Sequence, residues 1–257
     1  MAGVPLTDDY PTRRVPAVTY LLVAANVLVY LLSPLSSIAR WYGEGHARIC
    51  AVEEYVARWA AVPTELLSGF SLSEAVTISG SCAIAPFDKS PVISAFSAMF
   101  LHGSPLHLLG NMVFLFVFGP FVEDRLGRSR YLFGYLAFGL VATYGYALTS
   151  PASAVPLVGA SGAISGVLGA YLVLQPGSRV TTLIFGFIPF RLPAWVSIGS
   201  WFIGQYIWLV SQWMMPAAAQ ESDVAYAAHV YGFLAGVAGG FLQRRLGRSR
   251  RLVALRG

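Results

Sequence analysis

Long apolar runs, broken by short clusters of charge, proline and glycine, divide this chain. Six runs approach the roughly 20 residues that a helix needs to cross a hydrocarbon core. They are 17–34, 104–122, 131–150, 158–175, 193–214 and 224–242. The second opens well, with Ser104 a fitting N-cap and Pro105 a fitting first helical residue. The run 180–190 is also apolar, but Pro176-Gly177 and Pro189 bound it. It reads as an interfacial or partly buried connection, not a seventh span. The run 18–32 follows Arg13 and Arg14 as a signal peptide would, yet Ser33-Pro34-Leu35 is no small-residue cleavage site. It is taken as a retained span. The pattern therefore predicts an all-α, polytopic membrane protein. It divides into an N-terminal segment 1–16, a six-helix domain 17–243 and a basic tail 244–257.

Composition agrees. The chain is 56% hydrophobic and 11% charged, against about 25% charged in soluble domains. Its net charge of +5 has a topological reading. Of the 17 Lys and Arg residues, 13 fall on one side of the predicted spans: Arg13, Arg14, Arg125, Arg128, Arg130, Arg179, Arg191 and six in the tail. The other side has Arg40, Arg48, Arg58 and Lys89. The positive-inside rule then places both termini in the cytoplasm, as an even number of spans requires. The lipid bilayer is the expected partner, and the basic tail is suited to touch its anionic lipid; no folded basic domain supports nucleic-acid binding. No internal repeat points to an inverted-repeat transporter.

The first external loop, about 35–103, is the longest non-spanning segment. Around Cys50 it carries an amphipathic stretch with Tyr55 and Trp59, fit either for the membrane interface or for a folded external hairpin. Cys50 and Cys82 both lie in this loop, where a disulfide and two free thiols are equally open readings.

Polar groups inside the spans carry the chemistry. His107 and Asn111 are four apart on one face of the second span. Ser161 and Ser165 share the fourth, and His229 is in the sixth. With alternating span directions, all lie near the outer ends of their helices. Polar groups placed by three separate helices at one depth suggest a site. Gly159, Gly162, Gly166 and Gly169 line the serine span; Ala228, Gly232, Gly236 and Gly240 line the histidine span. Such small-residue ridges let backbones approach closely, and they also serve plain packing. From Arg125 to Gln220 there is no Asp or Glu. A Ser161–His229 dyad, with His229 as general base, is therefore expected rather than a triad. His107, Asn111 and the Ser161 N–H would face a developing oxyanion. His102 is assigned to loop packing. His102 and His107 are five apart with no HExxH, so no metal site is expected.

These residues resemble the rhomboid intramembrane serine proteases. The likeness rests on Gly159-Ala160-Ser161-Gly162, His107-x-x-x-Asn111 and Ala228-His229-x-x-Gly232, in order, on spans two, four and six. The stretches 100–111 and 122–127 add to it. The resemblance implies a six-helix core with a water-filled cavity open to the outside, Ser161 as nucleophile, His229 as base, and no cofactor. It implies single-span or membrane-anchored protein substrates, cut near the external face. The site would face outward from the bacterial cell (inner) membrane. Span five and the loop 215–223 would form a lateral gate and cap. One position departs: the family often has an aromatic residue four after the serine, stacking on the histidine. Ser165 stands there, so Tyr231 or Tyr226 is expected to take over. An inactive relative, a channel and a structural scaffold are the rival classes.

Overall fold

The computed structural model describes residues 3–71, 77–79, 82–184, 188–214 and 224–254. Helices stand at all six predicted segments: α1 (Ala17–Leu32), α5 (Pro105–Leu126), α6 (Arg128–Thr149), α7 (Ser161–Leu174), α8 (Ala194–Met214) and α9 (Tyr226–Ala254). Among the described residues, α5 and α6 are long and apolar enough to cross a membrane by length and composition alone; α1 and α7 are apolar but shorter. α9 runs without a break through the boundary expected at 243. Three short helices, α2 (Gly45–Trp59), α3 (Pro63–Ser68) and α4 (Pro91–Ser97), fold the long loop after α1.

The all-α expectation needs one correction. Strands β4 (Arg179–Ile184) and β5 (Ile188–Pro193) form an antiparallel hairpin where an interfacial connection was expected, and β1 (Val4–Asp8) pairs with β4. Val180, Thr181 and Thr182 are β-branched and suit a pleat, while Pro189 and Pro193 limit further pairing at the edge strand. The expected N-terminal segment is thus partly built into the fold. Asp9 accepts from Ser178 Oγ (2.5 Å) and from the Arg179 N–H (3.0 Å). Tyr171 Oη donates to Asp8 (2.9 Å), and Tyr10 Oη donates to Asp124 (3.2 Å). Gln243 of α9 donates to the Arg125 carbonyl (3.1 Å). The N-terminal segment, the α5–α6 turn, the β4–β5 hairpin and the later part of α9 therefore meet at one end of the bundle.

At that end Glu123 is buried and caps α1 from 104 residues away. Its two carboxylate oxygens accept from the Val18 N–H (3.0 Å), the Thr19 N–H (2.7 Å) and Thr19 Oγ1 (2.8 Å). Pro16 cannot cap α1 with a side-chain acceptor, so an imported carboxylate fills the role. A cavity of about 280 Å³ lies beside it, lined by Arg14, Asp124, Arg128 and Ser129 among others.

The opposite end is organised by the long loop. A disulfide joins Cys50 of α2 to Cys82 of β3 (Cys82–Ile84), the antiparallel partner of β2 (Thr77–Ser79), and settles the two readings left open for these cysteines. Lys89 Nζ pairs with Glu65 at 2.5 Å, both side chains buried. Ala61 and Leu157 exchange backbone hydrogen bonds (3.1 and 2.7 Å), and the Gly159 N–H donates to the Ala98 carbonyl (2.8 Å). The loop thus grips the segment that leads into α7. The hydrophobic core runs through the bundle around Phe118, Phe121, Tyr135, Leu168 and Tyr171, all nearly fully buried.

Candidate functional site

Three helices begin at the loop-covered end and bring polar side chains there. α5 starts as the sequence predicts: Ser104 Oγ accepts from the His107 N–H (3.1 Å), with Pro105 at the first helical position. His107 is therefore in the first turn and Asn111 one turn on. α7 begins at Ser161 itself. Its first-turn N–H groups have no partner within the helix and point toward that end. His229 is the fourth residue of α9. Ser161, His107 and His229 are partly exposed, whereas Asn111 is buried.

Glycines set the spacing. Gly159 has φ +125°, a backbone region costly for other residues. A Cβ there would lie 2.9 Å from the His107 ring and 3.7 Å from Ser161 Oγ, so the serine hydroxyl and this imidazole flank one point. Along the α7–α9 seam, Gly232 presses on the Gly162 carbonyl and Gly236 on that of Gly166, with no room for a Cβ at either. Ala228 also lies against Gly162. The neighbours of Ser161 are thus in backbone contact with those of His229.

The structure brings the two residues onto facing turns without closing the bond expected between them. Among the described residues, no hydrogen bond joins the Ser161 hydroxyl to His229. The His229 ring instead uses Nδ1, which donates to Gln205 Oε1 of α8 (2.6 Å). Catalytic hydrogen bonds often stand long without substrate and tighten in the reacting complex.

The ring that covers His229 also differs in part from expectation. Tyr226 meets it edge-on at 6.4 Å between centroids, and Trp201 of α8 lies 5.9 Å away, tilted by 35°. Tyr231 is directed elsewhere, against Gly145 of α6. Ser165 is buried and donates back to the Ser161 carbonyl (2.6 Å). Trp201 and Gln205, one helical turn apart, were missed from sequence. The available signal was a glutamine, one of two with Gln212, inside an apolar run.

His102 does more than loop packing. Asn111 Nδ2 donates to His102 Nε2 (2.9 Å), which fixes the amide and leaves its second hydrogen free to serve another acceptor. The His102 ring meets the His107 ring edge-on, 5.1 Å between centroids. Burial, and then the nearby His107, lower the His102 pKa from 6.5 to about 4. It is therefore neutral near pH 7 and able to accept. One cluster of metal-type ligands exists among the described residues: His46, Cys50 and Cys82 offer atoms within 4.8 Å of one another. Its two sulfurs are bonded together in the disulfide. The expected cap, 215–223, lies outside the described residues.

A fold of apolar helices carrying these polar groups at one end defines a class of membrane-embedded proteins. The rhomboid domain family model matches residues 89–246, from just before α4 into α9. The chain belongs to the rhomboid family, whose members are integral membrane proteins. It is 31% identical over 149 residues to rhomboid protein 1, mitochondrial, of Saccharomyces cerevisiae, covering 56% of this chain and 40% of that protein. Over 74 residues it is 42% identical to YdcA of Bacillus subtilis, 29% of this chain and 37% of that one. Over 79 residues it is 39% identical to rhomboid protease GluP of the same organism, 31% of this chain and 15% of GluP. The chain thus spans well under half the length of these relatives.

Proposed function

We propose that this protein is an intramembrane serine endopeptidase that cuts membrane-anchored proteins near the external membrane face. Ser161 Oγ attacks the scissile carbonyl carbon while His229 Nε2 takes its proton. The carbonyl oxygen becomes an oxyanion, met by the Ser161 N–H, Asn111 Nδ2 and His107. The C–N bond then breaks and His229 returns the proton to the leaving amine. Water, deprotonated by His229, next attacks the acyl ester; the C–Oγ bond breaks, His229 returns the proton to Ser161 Oγ, and the carboxylic acid product leaves.

The observation that carries this reading is the α7–α9 seam. Backbone contact between Gly162 and Gly232 sets a hydroxyl and an imidazole on facing turns, at the level where Asn111 is fixed by His102. A helix N-terminus at Ser161 adds oriented N–H dipoles to the same place. A channel reading expects ionisable groups through the full membrane depth, whereas His107 and His229 both lie in the opening turns of their helices; an inactive relative would lack the serine or the histidine, and this chain has both.

The topology follows from the charge count. Both termini would be cytoplasmic, with the sheet and the Glu123 cap on that side. The six-helix domain 17–243 would span the bilayer, and the disulfide-bearing loop would face an oxidising exterior, as in a bacterial inner membrane. The relatives include mitochondrial proteins, so an organelle membrane is an alternative compartment of the same kind. The test is cleavage of a single-span substrate by the reconstituted protein. Ser161→Ala and His229→Ala should each lower the rate by more than roughly 10³-fold while both variants stay folded. Retained cleavage in either variant rules out the dyad.

A further inference from the structure

Resting on the protease reading, we propose that Gln205 is a positioning residue for His229. By accepting the Nδ1–H bond from α8, it sets the tautomer and aim of the base and ties both to the placement of α8.

An amide oxygen only accepts, so a 2.6 Å bond from His229 Nδ1 to Gln205 Oε1 requires the proton on Nδ1. The lone pair is then on Nε2, the nitrogen that remains to take a proton from Ser161. The opposite tautomer would put the lone pair toward α8, where it could take no proton from Ser161. A third catalytic group usually supplies this control through a carboxylate. Here the sequence has no Asp or Glu between Arg125 and Gln220. Among the described residues, the titratable groups facing His229 are His107 from α5 and Tyr226 from its own helix; neither carries a carboxylate. A neutral amide orients the ring without burying a charge, which a membrane interior penalises.

α8 does more for His229 than supply this one acceptor. Two neighbours of the His229 ring, Gln205 and Trp201, come from one face of this helix. α8 meets α9 through side chains: Phe202 stacks on Phe233 at 4.1 Å, and Trp208 on Tyr226 at 5.9 Å. A shift of about 1 Å along this contact takes a 2.6 Å bond beyond hydrogen-bond range. The base is thus fully oriented only with α8 in its packed position.

The experiment uses the full chain in lipid, with Gln205→Leu and Gln205→Glu. Its readouts are kcat and KM on a single-span substrate, the rate of Ser161 labelling by a fluorophosphonate, and the pH profile of kcat/KM. Gln205→Leu should lower kcat and labelling at least about 10-fold, part of the roughly 10²–10⁴ that a positioned base supplies. KM should hold. Gln205→Glu keeps the acceptor, so activity should recover, and its charge makes the imidazole more basic, moving the acidic limb of the profile upward. Wild-type rates in Gln205→Leu, or an unmoved limb in Gln205→Glu, overturn the assignment. Should the leucine variant fail to fold, the glutamate limb decides alone. A wild-type chain that neither cleaves nor labels sinks the protease reading and this assignment with it. An active wild type indifferent to Gln205 sinks only this one.

Discussion

Where α7 meets α9, backbone lies on backbone; where α8 meets α9, rings lie on rings. At the first contact Gly232 and Gly236 touch the carbonyls of Gly162 and Gly166. Nothing there can change rotamer, so the relative height of Ser161 and His229 is fixed by main-chain geometry. At the second, Phe202 and Trp208 lean on Phe233 and Tyr226. Side chains hop between rotamers at little cost, and in a bilayer lipid competes for the same apolar faces. The contrast separates two tasks. The rigid seam places the reacting pair; the adjustable contact governs how the imidazole is turned.

The sharpest way to break this contrast is to force the seam apart. Gly232→Val adds three carbons where no Cβ fits. It should cost about 3 kcal/mol of stability and remove cleavage altogether, read by thermal unfolding and substrate turnover. Wild-type turnover in that variant would show that the seam does not place the pair. Loosening the other contact should do less. Phe202→Ala should lower stability by about 1 kcal/mol, the scale of one aromatic pair, and leave Ser161 reactive to a fluorophosphonate. An unreactive serine there would show α8 to be as fixed as α7.

The smallest effect concerns His102, which holds Asn111. Its folded pKa is depressed from 6.5 to about 4. Between these values the unfolded chain binds more protons, so stability rises with pH across the window. This contribution is complete above about 6.5 and is lost as the pH falls toward 4. His102→Gln offers an acceptor that does not titrate. Melting temperatures taken over that range should therefore fall less in the variant than in the wild type; parallel curves would exclude the linkage.

Much of the helical layout was legible because it is written locally. Apolar run length marked six helical segments, and Ser104-Pro105 marked the start of α5. The remainder depends on partners distant in sequence. Val4–Asp8 becomes a strand only because Arg179–Ile184 offers an edge. Glu123 caps a helix that begins more than a hundred residues earlier. The pairing of Cys50 with Cys82 follows from how α2 lies beside β3. At the candidate site, the place of Ser161, His107, Asn111 and His229 in the opening turns of their helices could be read from motif and position. The groups that orient them could not. His102 and Gln205 are ordinary residues for a loop and a helix until tertiary packing points them at Asn111 and His229.

The central claim is that His229 activates Ser161. Labelling by a fluorophosphonate tests it without a substrate, by peptide mass mapping of the intact protein in lipid. A single adduct on Ser161 is expected in the wild type, its formation slowed by more than roughly 10³-fold in folded His229→Ala. An adduct on another residue, or equal labelling of Ser161 with and without the imidazole, would contradict it.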